Sequence, residues 1–223
     1  MNPSIDAAHQ EPVRRPLKSR NTRLAAAFAG WLTGLGLTPN QISVASVFAA
    51  GAAAASFAAF GFAAEPGGLL LIGAAIAIQF RLLCNLMDGM VAVEGGKQTK
   101  NGELYNEFPD RIADLLILVG AGYALRDYPY AIELGWLAGS MAILTAYARA
   151  LAGAAGAKQH FVGPMAKPHR MATMTVACIA GAIEVAVHGS IWVMFAGLCV
   201  CTLGSTVTVI RRLVIASREL EAA

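Results

Sequence analysis

Apolar stretches long enough to cross a bilayer alternate along this chain with short polar breaks. Residues 41–62 carry no charged side chain, and neither do residues 189–210. A helix needs about 20 apolar residues to span the hydrocarbon core. By that measure six spans are expected, at 41–62, 68–87, 106–125, 131–151, 170–187 and 189–210. Turn-forming residues separate them: Thr38-Pro39-Asn40 before the first, Glu65-Pro66-Gly67 after it, and Arg126-Asp127-Tyr128-Pro129 after the third. Such clusters favour a break over a continued helix. Residues 24–37 are apolar but too short to span. They follow a basic run of Arg14, Arg15, Lys18, Arg20 and Arg23 and carry Trp31, the pattern of an amphipathic helix lying in the headgroup layer. The expected fold is therefore all-α and integral to the membrane, with six transmembrane helices and an N-terminal interfacial amphipathic helix. Residues 1–40 read as a basic tail with that helix, 41–210 as the six-helix domain, and 211–223 as a C-terminal tail.

Composition agrees. Hydrophobic residues make up 57% of the 223 positions and charged residues 14%, where a soluble domain carries about 25% charged. That excludes a water-soluble globule, and intrinsic disorder would need the opposite balance. The four cysteines form no CxxC pair, so they read as small apolar residues. A net charge of +3 does not point to a nucleic acid. With six spans, twelve Lys and Arg residues of the tails and loops fall on one side and only Arg126 on the other. The basic side is cytoplasmic, so both termini are expected there. A bacterial inner membrane is the expected compartment.

Charged groups inside spans are costly and mark function by default. Here they cluster. Asn85 and Asp88 stand at i, i+3 at the end of the second span; Asn106, Asp110 and Asp114 stand at i, i+4, i+8 at the start of the third. Each spacing keeps its members on one helix face, and consecutive antiparallel spans bring both sets to the cytoplasmic end. Oxygen donors of this kind suit hard cations such as Mg²⁺ or Mn²⁺, and two such ions commonly flank a phosphoryl group in transfer. Clustering at one face argues against an ion transporter, whose site lies near the midplane.

The segment Asn85-Leu86-Met87-Asp88-Gly89-Met90-Val91-Ala92-Val93 is followed, after residues 94–101, by Gly102-Glu103-Leu104-Tyr105-Asn106-Glu107-Phe108-Pro109-Asp110. This run resembles the signature of the CDP-alcohol phosphotransferases, D-x-x-D-G-x-x-A-R, a spacer of the same length, then G-x-x-x-D-x-x-x-D. Thr38-Pro39-Asn40 is similar to the T-P-N run common in that family. The chain departs from the pattern at three positions: Asn85 and Asn106 replace two family aspartates, and Val93 replaces the arginine.

The resemblance implies a two-metal site that transfers a substituted phosphate from a CDP-linked donor to a hydroxyl and releases CMP. Asp88 and Asp110 would be metal ligands, with Asp110 also the general base. Asn85 and Asn106 would coordinate only through neutral carbonyl oxygens, and Asp114, one turn beyond Asp110, would restore a charge as an added ligand or catalytic group. Asp88, Gly89, Ala92 and Gly102 would line the nucleotide site. Arg149, Lys167 and Arg170 are candidates for an acceptor or lipid phosphate, since basic residues at the membrane surface hold such groups. Arg81, one turn before Asn85, would pair with Asp114 or touch a phosphate. The expected donor is CDP-diacylglycerol, with a small polar alcohol as acceptor. A CDP-amino-alcohol with diacylglycerol is the alternative, as is a degenerate member that binds CDP-lipid without turnover. The resemblance also implies a homodimer.

Overall fold

The computed structural model describes residues 22–65, 67–94, 96 and 101–222. Its regular structure is seven helices: α1 (Arg23–Gly34), α2 (Pro39–Phe62), α3 (Gly68–Glu94), α4 (Gly102–Ala124), α5 (Ala131–Ala154), α6 (Lys167–His188) and α7 (Trp192–Glu221). The basic residues Arg14, Arg15, Lys18, Arg20, Lys97 and Lys100 lie outside the described residues.

Five helices, α2, α3, α5, α6 and α7, are long and apolar enough to cross a membrane, which points to an integral membrane protein. The sixth expected span, α4, is 23 residues long but is not among them. Glu107, Asp110, Arg111 and Asp114 crowd its first half. Helix α4 nevertheless sits between α2 and α5. The six long helices close into a ring, each packed on two neighbours in the order α2, α4, α5, α7, α6, α3 and back to α2. Phe57, Leu71, Ile78, Ile117, Met174 and Met194 fill the interior. Helix α1 packs only its Ala29 side closely, against α3, and leaves Leu24, Trp31 and Leu35 exposed.

Local chemistry sets the helix ends. Thr38 caps α2 reciprocally: its Oγ1 accepts from the Gln41 N–H at 3.3 Å, and its own N–H donates to Gln41 Oε1 at 2.9 Å. Pro39 then takes the first helical position, where a missing N–H costs nothing. Helix α3 does not stop at residue 87 as expected. No breaker occurs before Gly95, so Asp88, Gly89 and Ala92 lie on helix rather than in a loop. Helix α7 likewise runs on to Glu221, so residues 211–221 extend it instead of forming a tail. Arg, Leu, Ala and Glu favour helix, and the extension is anchored. Arg212 donates to the carbonyls of Val162 and Thr145, and Glu219 accepts from His160 at 2.6 Å and from the Lys158 N–H at 3.1 Å.

Helices α4 and α5 approach most closely at Gly122 and Gly135. A Cβ on Gly122 would lie 2.8 Å from the Ala131 carbonyl oxygen, and one on Gly135 would lie 2.9 Å from that of Leu118. Small residues permit this backbone contact, as they do between membrane helices generally.

Candidate active site

The chemistry-bearing residues converge where the C-terminal part of α3 meets the N-terminal part of α4. Arg81, Asn85 and Asp88 follow one another on one face of α3, and Asp110 and Asp114 on one face of α4. Arg81 is fully buried and its Nη2 reaches both aspartates, at 2.6 Å from Asp114 Oδ1 and 3.3 Å from Asp110 Oδ1. Asn85 Nδ2 donates to the same Asp110 oxygen at 2.9 Å. The other Asp110 oxygen takes the ammonium of Lys167, from the first turn of α6. Arg170, one turn further along α6, donates to Asp114 Oδ2 at 2.7 Å. It also donates to the Met165 carbonyl at 3.0 Å and to Thr145 Oγ1 at 3.3 Å.

Asp88 is held differently. Ser43 on α2 donates to its Oδ2 at 2.7 Å, while its Oδ1 is buried without a hydrogen-bond partner. The capped start of α2 at Thr38 therefore fixes the depth at which Ser43 meets α3. Beside this turn of α3 lies an apolar cavity of about 160 Å³ between α1, α2 and α3, lined by Phe28, Leu32, Ile42, Phe80 and Met87 among others.

The structure thus brings Asn85, Asp110 and Asp114 together around Arg81, with Asp88 one turn along α3 and bonded to Ser43. Asn106, in register with a family aspartate, is exposed. Gly89 and Ala92 are half-buried on the adjoining turn of α3, and Gly102 opens α4. The three basic candidates diverge. Lys167 enters the site. Arg170 is 1% exposed and its guanidinium is spent on Asp114, so it faces no open space where a phosphate could approach. Arg149 pairs with Glu107 at 2.7 Å and lies over the Phe161 ring. Glu107 also binds Arg111 at 2.8 Å. Ser43 was not legible beforehand: a serine in an Ala-rich apolar run carries no mark of function.

The donor set does not fit two divalent ions. Among the described residues no three His, Cys, Asp or Glu side chains are grouped to hold a metal. Both oxygens of Asp110 and both of Asp114 already have cationic partners. Arg81, Lys167 and Arg170 balance Asp88, Asp110 and Asp114 charge for charge. Two divalent ions would bring four positive charges to a neutral, buried cluster, and uncompensated charge in a low-dielectric site is strongly unfavourable.

No protein-family model and no curated protein sequence matches the chain. Solved structures do. Phosphatidylinositol phosphate synthase (PgsA1) of Mycobacterium tuberculosis with CDP-DAG bound superposes with a TM-score of 0.71 at 22% identity, covering 87% of this chain and 94% of that one. The same synthase in complex with manganese and citrate gives 0.73 at 21% identity, over 86% and 88% of the two chains. Its apo form gives 0.65 at 22% identity, over 84% and 93%.

This chain has the fold of that CDP-alcohol phosphotransferase. The agreement spans nearly the whole of both chains, so the ring of helices seen here is the complete fold of PgsA1 and not a shared fragment.

Proposed function

We propose that the protein is a membrane-embedded transferase that moves a substituted phosphate from a CDP-linked lipid to the hydroxyl of a small polar alcohol, releasing CMP. CDP-diacylglycerol is the donor in this reading. The observation that carries it is the hydrogen bond of Asn85 to Asp110 across α3 and α4, with Asp88 one turn along α3 from Asn85, within a fold that PgsA1 uses to bind CDP-DAG.

Phosphoryl transfer asks a protein mainly to position groups and balance charge. Asp110 accepts the proton of the attacking hydroxyl, whose oxygen bonds to the phosphorus distal to cytidine as the bond to CMP breaks. Lys167, beside Asp110, faces the charge that builds on the phosphoryl oxygens. Asn85 and Arg81 hold the Asp110 carboxylate in place. Gly89, Ala92 and Gly102 leave room for the nucleotide, and the apolar cavity by Phe80 and Met87 offers a surface to an acyl chain. Helix α4 completes six spans, its charges shielded by α2, α5 and α6. The positive-inside pattern supports a cytoplasmic site in a bacterial inner membrane, with both termini on that side. A homodimer belongs to the same reading.

A second reading is a family member that holds CDP-lipid without turning it over. The full occupation of Asp110 and Asp114 by cations favours it. A CDP-amino-alcohol donor with diacylglycerol as acceptor is the remaining substrate pairing. The deciding experiment is CMP release by the purified protein in lipid, with CDP-diacylglycerol and a pooled set of alcohols, run with Mg²⁺, with Mn²⁺ and with chelator. CMP that appears with one alcohol names the acceptor. Asp88→Asn and Asp110→Asn should then each lower turnover by at least about a hundredfold, and wild-type turnover in either variant would sink the site assignment. CDP-diacylglycerol binding without CMP release under any condition, CDP-choline and CDP-ethanolamine included, would establish the second reading.

A further inference from the structure

We propose that Lys167 and Arg81 are resident cations that take the place of divalent ions, so that this site holds the diphosphate of a CDP-linked lipid with no divalent metal bound. The ligand half rests on the CDP-lipid reading above; the cation half rests on the geometry of the cluster together with Asn85.

Two independent departures point the same way. In sequence, Asn85 stands at the site where the pattern the chain resembles has an aspartate, which removes one negative charge there. In structure, two protein cations sit on the carboxylate Asp110, through Arg81 Nη2 and Lys167 Nζ. Both observations act in one direction: fewer carboxylates and protein cations already on Asp110 each weaken the attraction for a divalent ion there.

The two cations have different parts. Arg81 is 0% exposed and bridges Asp110 to Asp114, so it fixes the carboxylates. The Lys167 side chain is 23% exposed and is the cation open to a ligand. An ammonium has three donors, and Asp110 engages one through Oδ2. Lys167 also stands at the first position of α6. A cation there opposes the helix dipole, so its placement needs anions: Asp110 on one side and, when bound, the diphosphate on the other.

The test uses the full chain in lipid nanodiscs. Titration with Mn²⁺ alone, read by electron paramagnetic resonance, should find no site in the wild type tighter than about millimolar. CDP-diacylglycerol should bind equally well in chelator and in Mn²⁺, within about twofold. Lys167→Gln should gain a Mn²⁺ site. In chelator it should bind CDP-diacylglycerol at least about tenfold more weakly, with Mn²⁺ restoring the loss. Lys167→Arg should behave as the wild type in both assays. A stoichiometric Mn²⁺ site in the wild type, or CDP-diacylglycerol binding that chelator abolishes, overturns the proposal. So does a Lys167→Gln protein of unchanged melting temperature that gains no Mn²⁺ site. If that variant does not fold, the wild-type Mn²⁺ titration decides alone. Failure of CDP-diacylglycerol to bind in either condition, with the Mn²⁺ results as expected, overturns the CDP-lipid reading and the ligand half with it, while the cation half stands on the titration.

Discussion

The two halves of helix α4 are packed by opposite rules. Its first half holds Asp110 and Asp114, both buried and both gripped by cations from α3 and α6. Its second half holds Ala121, Gly122 and Ala124, pressed against α2 and α5 at backbone distance. In the first half the structure tolerates no loss, because each removed charge strands its partner. In the second it tolerates no addition, because backbones already touch. A buried ion cluster and a small-residue seam therefore fail in opposite directions, and substitutions can tell them apart.

The largest effect is expected at Asp114. Asp114→Asn keeps the shape but leaves Arg81 and Arg170 buried with one counter-charge too few. Breaking such a pair costs about 3–5 kcal/mol, read as a large fall in melting temperature in detergent or loss of folded protein. A fall no greater than that of an exposed pair would show that water reaches the cluster. Next comes the seam. Gly135→Val drives two methyl groups into α4, and overpacking of this kind costs about 1–3 kcal/mol. An unchanged melting temperature would mean that α4 and α5 separate freely. The smallest effect is expected at Glu107, which is 40% exposed at its side chain. Glu107→Gln gives up ion pairs with Arg111 and Arg149 that lie at the rim, and such pairs contribute about 0–1 kcal/mol. A loss as large as that at Asp114 would place Glu107 in the buried cluster and extend the charge argument to Arg149.

The helical segments were legible because hydropathy acts locally. A run such as 41–62, with no charge and a Thr-Pro start, allows little else, and each of the six expected segments is helical, although α3 and α7 run 7 and 11 residues past their expected ends. The misreadings sit where chain continuity outweighs polarity. The second span was expected to end at residue 87, yet nothing there stops the helix, so α3 runs on to Glu94. The arginines 211, 212 and 218 suggested a tail, yet arginine is a good helix former, and Arg212 and Glu219 have partners on the loop before α6. The candidate site was legible as a register: Asn85 and Asp88 share one helix face and Asp110 and Asp114 another by spacing alone, and Asn85 does bond Asp110 across the two helices, while Asp88 bonds Ser43 on α2.

What the sequence determined by itself is therefore the helices, the membrane-like character and the face on which the carboxylates stand, since each follows from periodicity and composition within one segment. Only the tertiary structure decided what those carboxylates face. Lys167 and Arg170 lie 53 and more residues further along the chain than Asp114, and Ser43 precedes Asp88 by 45. No local spacing links them. They meet because the helices close into a ring that brings α6 and α2 against α3. Closure buries the charges, and burial obliges each aspartate to find a partner.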